Sequence, residues 1–193
     1  MRRWRRVQTA EGAHFVSALE PHEAALLRNM ATSIQEMLDD RQASAPSDPL
    51  EQITGIRTGN PKPPEQATVI RLLPDFVKED AHAGRESSEG SNGILRSLHE
   101  PQIIEAKAAA AQRLLDTLPE GGGHLELTEA DAQAWIAAVN DIRLALGTLI
   151  GIGPDMPDRL PTDHPMATHL GVYQWLTVLQ EYLVLGLMGK PIR

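Results

Sequence analysis

Hydrophobic positions along the chain recur at helical spacing over long stretches and alternate over a few short ones, the repeats of amphipathic helices and half-buried strands. The most apolar row is LGVYQWLTVLQEYLVLGLM, Leu170 to Met188. In it Leu170, Tyr173, Leu176 (or Trp175), Leu179, Leu183 and Leu187 form a stripe, while Val172, Val178, Tyr182, Val184, Leu185 and Met188 put apolar groups on the other faces. A helix apolar nearly all round must be covered nearly all round. Residues 163–188 are therefore expected to be the central core helix, capped at Asp163 with Pro165 in its first turn. Gln174, Thr177, Gln180 and Glu181 interrupt a run already shorter than the ~20 residues a bilayer requires, so it does not read as a membrane span.

Five more stretches read as helical. Glu20 to Asp40 has Pro21 at the first helical position and the stripe Leu27, Met30 (or Ala31), Ile34 and Met37 (or Leu38). Ser47 to Thr54 looks like a capped short helix, and Gln66 to Leu73 like another, stopped by Pro74. Ser91 to Leu118 carries Ile94, Leu95, Leu98, Ile104, Ala108, Ala111 and Leu114 (or Leu115). Because Pro101 lacks an N–H, a short helix to His99 followed by a long one from Pro101 to Thr117 is expected. Thr128 caps a helix from Glu129 to Ile150, with Asp131 completing a capping box. Alternation marks residues 2–8 and 13–18, joined by the turn Thr9 to Gly12, and HLELT at 124–128, which has few places to go except beside that hairpin. The fold class expected is mainly α (α+β): a helical bundle around a central C-terminal helix with a small three-stranded antiparallel sheet. With 193 residues one domain is expected. Its polar, Gly/Ser-rich stretch at about 75–93, which holds His82, reads as a flexible loop.

Composition narrows the chemistry. The chain has no cysteine, which excludes disulfides, thiolate zinc sites and thiol redox chemistry on it. The start MRRWRRV lacks the apolar core of a secretory signal, so a cytoplasmic protein without membrane attachment is expected. His164 and His169 are five apart, not the four that puts two ligands on one helical face, and no GxSxG, P-loop, GxGxxG or calcium-loop pattern is present. Neither an enzyme, a cofactor nor a metal site is expected.

Two groups of residues remain as candidate sites. The formal charge is −8, yet Arg2, Arg3, Arg5 and Arg6 are all cationic, and without them the chain stands at −12. An acidic body repels nucleic acid, so any such binding has to be local to this tip. Arg2, Arg3, Trp4, Arg5 and Arg6 are either a solvated edge strand whose arginines discourage aggregation, or a basic surface with a stacking Trp for nucleic acid or an acidic partner. Strand alternation sets Arg2, Trp4 and Arg6 on one face against Arg3, Arg5 and Val7 on the other. The second group, Asn140, Asp141 and Arg143, interrupts an otherwise apolar helix. A buried charge needs a partner, and Glu181 on the C-terminal helix is the expected mate of Arg143. This group is either an internal ion pair fixing helix register or a ligand site between two helices.

RRWRRV, PHEAALLRNM, MLDD, DPLEQITGI, RLLPDF, LRSLHEPQIIEAK, LELTEADAQAWIAAVNDIRLALG and VYQWLTVLQEYLV occur in that order. So ordered, they resemble an actinobacterial domain-of-unknown-function family that includes the oxidative-stress transcription regulator AosR. The most specific stretches are Trp135 to Gly147 and Tyr173 to Val184. The resemblance implies a cytoplasmic, non-enzymatic regulator acting in transcription through a sigma factor or RNA polymerase, in a gene neighbourhood shared with the protease adaptor ClpS. Thiol-based redox sensing goes with that regulator, and here the chain departs from it. Without cysteine, sensing would need methionine oxidation, for example at Met30 or Met37, or a partner carrying the thiols. Direct DNA binding through the Arg-rich hairpin and small-molecule binding stand as the alternatives. Self-association as a homodimer is expected if the last helix is left partly uncovered.

Overall fold

The structure, a computed structural model, describes residues 4–10, 12–46, 55, 57–78, 85–153, 157, 159–161 and 163–190. Its elements are β1 (Arg5–Thr9), β2 (Gly12–Leu19), α1 (Pro21–Ala43), α2 (Ala67–Leu72), α3 (Arg85–Thr117), β3 (Gly123–Thr128), α4 (Glu129–Leu149) and α5 (Ala167–Leu187). The short helix expected at Ser47 to Thr54 lies outside the described residues, as do Arg2, Arg3 and His82.

The three strands form one open antiparallel sheet in the order β1-β2-β3. Alternation in GAHFVSAL turns Ala13, Phe15, Ser17 and Leu19 inward, and β3 places Leu127 opposite Phe15 and Leu125 opposite Ser17 on that same face. Leading into β3, Gly122 takes φ +74° and comes so close to the β2–α1 junction that an added Cβ would lie 2.8 Å from the Leu19 carbonyl oxygen. Only glycine fits there.

The helix at the centre is α4, not the more apolar α5. It packs against α1, α2, α3, α5, β2 and β3, and it buries Ala132, Trp135, Ala138, Val139, Ile142 and Ala145. Its small residues let neighbouring backbones approach, which matters more for centrality than hydrophobicity does. α5 packs along α4 through Leu170, Leu176, Leu179 and Leu183, while Val178, Val184 and Met188 remain exposed. It also starts four residues later than Asp163: residues 163–166 form a turn, in which the Met166 N–H donates to His164 Nδ1 (3.1 Å). Among the described residues no helix is long and apolar enough to cross a membrane.

In α1 the buried stripe is Leu27, Ala31, Ile34 and Leu38, with Met30 and Met37 half-buried beside it. The expected break before Pro101 does not occur, and α3 is one helix of 33 residues. Pro101 cannot donate to the Ser97 carbonyl, but the Gly59 N–H does (2.9 Å). The donor missing from the helix is thus supplied by the loop that crosses it. Residues 85–93, expected in a flexible loop, belong to α3, and the Asn92 side chain both accepts from the Val77 N–H and donates to the Val77 carbonyl. Ile94 and Leu98, expected in the buried stripe, are 65% and 60% exposed, whereas Ile104, Ala111 and Leu114 are buried.

Candidate functional site

The N-terminal tip separates into parts with different fates. Trp4 is 1% exposed and meets Trp135 edge to face, ring centroids 6.3 Å apart. It is a core anchor and is not available to stack on a base, which corrects its inclusion in a contact surface. Arg5 and Arg6 are exposed. Register puts Arg6, opposite Phe15, on the inward face with Trp4, but Arg6 lies out near the end of α5, with Nη1 3.8 Å from where a side chain on Gly189 would begin. Arg5, opposite Val16, lies on the outer face.

Asn140, Asp141, Arg143 and Glu181 do not converge. Successive positions on α4 point different ways, so Asp141 meets α3 and Arg143 meets α5. Asp141, 3% exposed, accepts from Lys107 Nζ at 2.6 Å. Burial pushes its pKa above the usual carboxylate value, and the Lys107 ammonium opposes that shift only in part. Arg143 donates to Thr177 Oγ1 (3.1 Å), Gln180 Oε1 and the Tyr173 hydroxyl (3.3 Å), and its guanidinium lies 5.1 Å from the Tyr173 ring centre. The acceptors are themselves held: the Thr177 hydroxyl donates to the Tyr173 carbonyl and the Gln180 amide to the Ile136 carbonyl, which turns Gln180 Oε1 toward Arg143. Glu181 is exposed, so the expected Arg143–Glu181 pair is replaced by neutral acceptors. Asn140 and Asp141 line an open groove of about 590 Å³ between α3 and α4, together with His99, Gln102, Ile103, Ala106, Lys107 and Ala137.

The most buried charges lie elsewhere. Glu100, 2% exposed, accepts from Arg41 Nε on α1 and lies 3.5 Å from Arg96 Nη1, and Arg96 also pairs with Asp75. Arg41 Nη2 donates to the carbonyls of Asn60 (3.0 Å) and Lys62 (2.7 Å). Two cations and two anions thus fasten α1, α3 and two loops together, and every one is engaged in that work. Sequence reasoning did not single them out. The available sign was a Glu directly before a mid-helix proline, four residues after an Arg. Among the described residues no three His, Asp or Glu side chains come together as a metal site would need.

Residues 1–187 match the model of the family described as Domain of unknown function (DUF2017). The chain belongs to that family. Among its relatives, the protein named Oxidative stress regulator AosR in Mycobacterium tuberculosis (strain ATCC 25618 / H37Rv) is 60% identical over 195 residues, 98% of this chain and 89% of the relative. One in Mycobacterium leprae (strain TN), named Putative oxidative stress regulator AosR, is 54% identical over 194 residues with the same coverage. No solved structure matches the chain. The two stretches on which the resemblance chiefly rested form opposing faces here: Trp135 to Gly147 lies within α4, Tyr173 to Val184 within α5, and the Arg143 interactions join them.

Proposed function

We propose that this chain is a non-enzymatic regulator of the oxidative-stress response, acting in transcription by binding another protein, a sigma factor or RNA polymerase, in the cytoplasm. The observation that carries this is 60% identity to a named oxidative stress regulator across nearly the full length of both chains. The polar residues that could have served catalysis support it: Asp141 is tied to Lys107, and Arg143 to three acceptors on α5. With no cysteine, an oxidant signal reaches this chain through a partner or through methionine oxidation, not through a disulfide of its own. Exposed Val178 and Val184 on α5, with Met188 just past its end, favour self-association as part of the same function, which light scattering at several concentrations would register.

Transcript profiling after a sublethal peroxide dose tests the regulatory role. A strain lacking the gene should differ from wild type in a defined set of oxidant-responsive transcripts, and supplying the chain should restore them. Identical profiles would contradict the proposal.

A further inference from the structure

β1 is the outer strand of an open sheet, and among the described elements only β2 is hydrogen-bonded to it. Alternate residues of such a strand turn N–H and C=O groups outward, ready to pair with an added strand. Arg5, Arg6, Val7 and Gln8 are all exposed. The register puts Arg5 and Val7 on the outer face and Arg6 and Gln8 on the inner one, so a strand laid against β1 meets a cation on each face. Arg6 reaches the end of α5 beside Gly189, and exposed Lys190 follows it. This end therefore gathers positive charge on a chain whose net charge is −8.

We propose that the open edge of β1 receives a short, extended, acidic segment of a protein partner as a fourth strand. This rests on the conclusion that the chain works through protein contacts, and it names where and with what chemistry. Main-chain hydrogen bonds supply affinity in such additions, and alternating side chains supply selectivity. Carboxylates at neighbouring positions of the segment reach Arg5 on one face and Arg6 on the other, with an apolar residue beside Val7. A second copy of this chain suits the same edge less well, because two full-length antiparallel β1 strands set Arg5 opposite Thr9 and Arg6 opposite Gln8 and so offer neither arginine a carboxylate. Duplex nucleic acid fits less well, since Trp4 is buried and offers no stacking surface, and a polyanion with a charge every ~1.7 Å runs off the basic tip onto an acidic body. A strand of about five residues, the length of β1, keeps its charge at the tip.

The test uses the full chain and a pool of eight-residue peptides with two adjacent Glu residues, one for each face, flanked by Val, Thr or Tyr. Fluorescence anisotropy gives affinity, and amide hydrogen exchange reports on β1. Binding with slowed exchange at β1 is expected. It should weaken at least tenfold in Arg5→Glu/Arg6→Glu and less in Arg5→Gln/Arg6→Gln, and it should be lost when alternate peptide nitrogens are methylated, which keeps the charge but prevents strand pairing. Absence of binding, equal binding by the methylated pool or by a Lys-substituted pool, or tighter binding of a 20-base-pair duplex would overturn the proposal. Thermal melts check that both variants fold. If the edge fails while peroxide-dependent transcripts still require the chain, the docking site is wrong and the regulatory role stands.

Discussion

Asp141 and Lys107 show how one residue on the central helix is held. A carboxylate taken out of water favours its neutral form, and a single ammonium at 2.6 Å offsets that only in part, so the pKa of Asp141 lies above its ordinary value. Removing the cation in Lys107→Ala should therefore destabilise the fold by about 1–3 kcal/mol at neutral pH. Because the folded state then binds the Asp141 proton more tightly than the unfolded state does, the deficit should shrink as pH is lowered. Urea midpoints measured from pH 7 down to pH 4 would check this; a deficit independent of pH would place the loss in packing instead. Asp131 runs the other way. Burial raises its pKa, but hydrogen bonds from the Thr128 hydroxyl and backbone N–H, then Arg113, outweigh burial and leave it below the usual value. The stability it contributes is present above its unfolded pKa of about 3.8 and is lost as pH falls through its depressed folded value. Asp131→Asn should flatten that acid limb of the stability curve while costing about 1 kcal/mol at neutral pH through the weakened capping box. At this scale sequence and structure diverged most at Arg143. Pairing charge with charge pointed to Glu181, but a guanidinium is equally satisfied by a hydroxyl, an amide oxygen and an aromatic face when these lie on the opposing helix.

Among the elements, α3 carries the feature least accessible from spacing. A proline inside a helix leaves the carbonyl four residues back without its donor, which is why a break before Pro101 was the natural expectation. The Gly59 N–H fills that place, and the fit is close: a Cβ on Gly59 would lie 2.7 Å from the Arg96 carbonyl oxygen and 3.0 Å from Pro101 Cδ. Gly59→Ala should cost about 1–3 kcal/mol by forcing the loop off the helix, and amide exchange should quicken at residue 59. Unchanged stability would show that this crossing can relax. No pattern within α3 announces a donor from a loop some forty residues earlier, so the continuity of the helix was not legible. The sheet and α4 were legible, because their signals are local. Period-two alternation in GAHFVSAL, the short HLELT and the Thr128–Asp131 box each specify a structure within a few residues.

For the whole molecule, hydrophobicity identified which helices are buried but not which lies in the middle. α5 has the more apolar row, yet α4 touches every other helix and two strands because its alanines permit close approach. Residues of α4 and α5 face one another, and the half-buried contacts of Arg143 with Tyr173, Thr177 and Gln180 hold the pair in register. The candidate sites divided in the same way. The polar group on α4 is largely absorbed into the fold, Trp4 belongs to the core, and Arg5 and Arg6 remain outside on an unpaired strand edge. The exposed arginines on that edge support the proposal that the protein acts by holding another protein. Crosslinking in the native cell under peroxide stress, from a photoreactive residue placed at Gln8 and, as a control, at exposed Gln133 on α4, tests it most directly. Gln8 should capture a subunit of the transcription machinery through an acid-rich segment, and Gln133 should not. Recovery of nucleic acid alone, or of no transcription component at either position, would contradict the proposal.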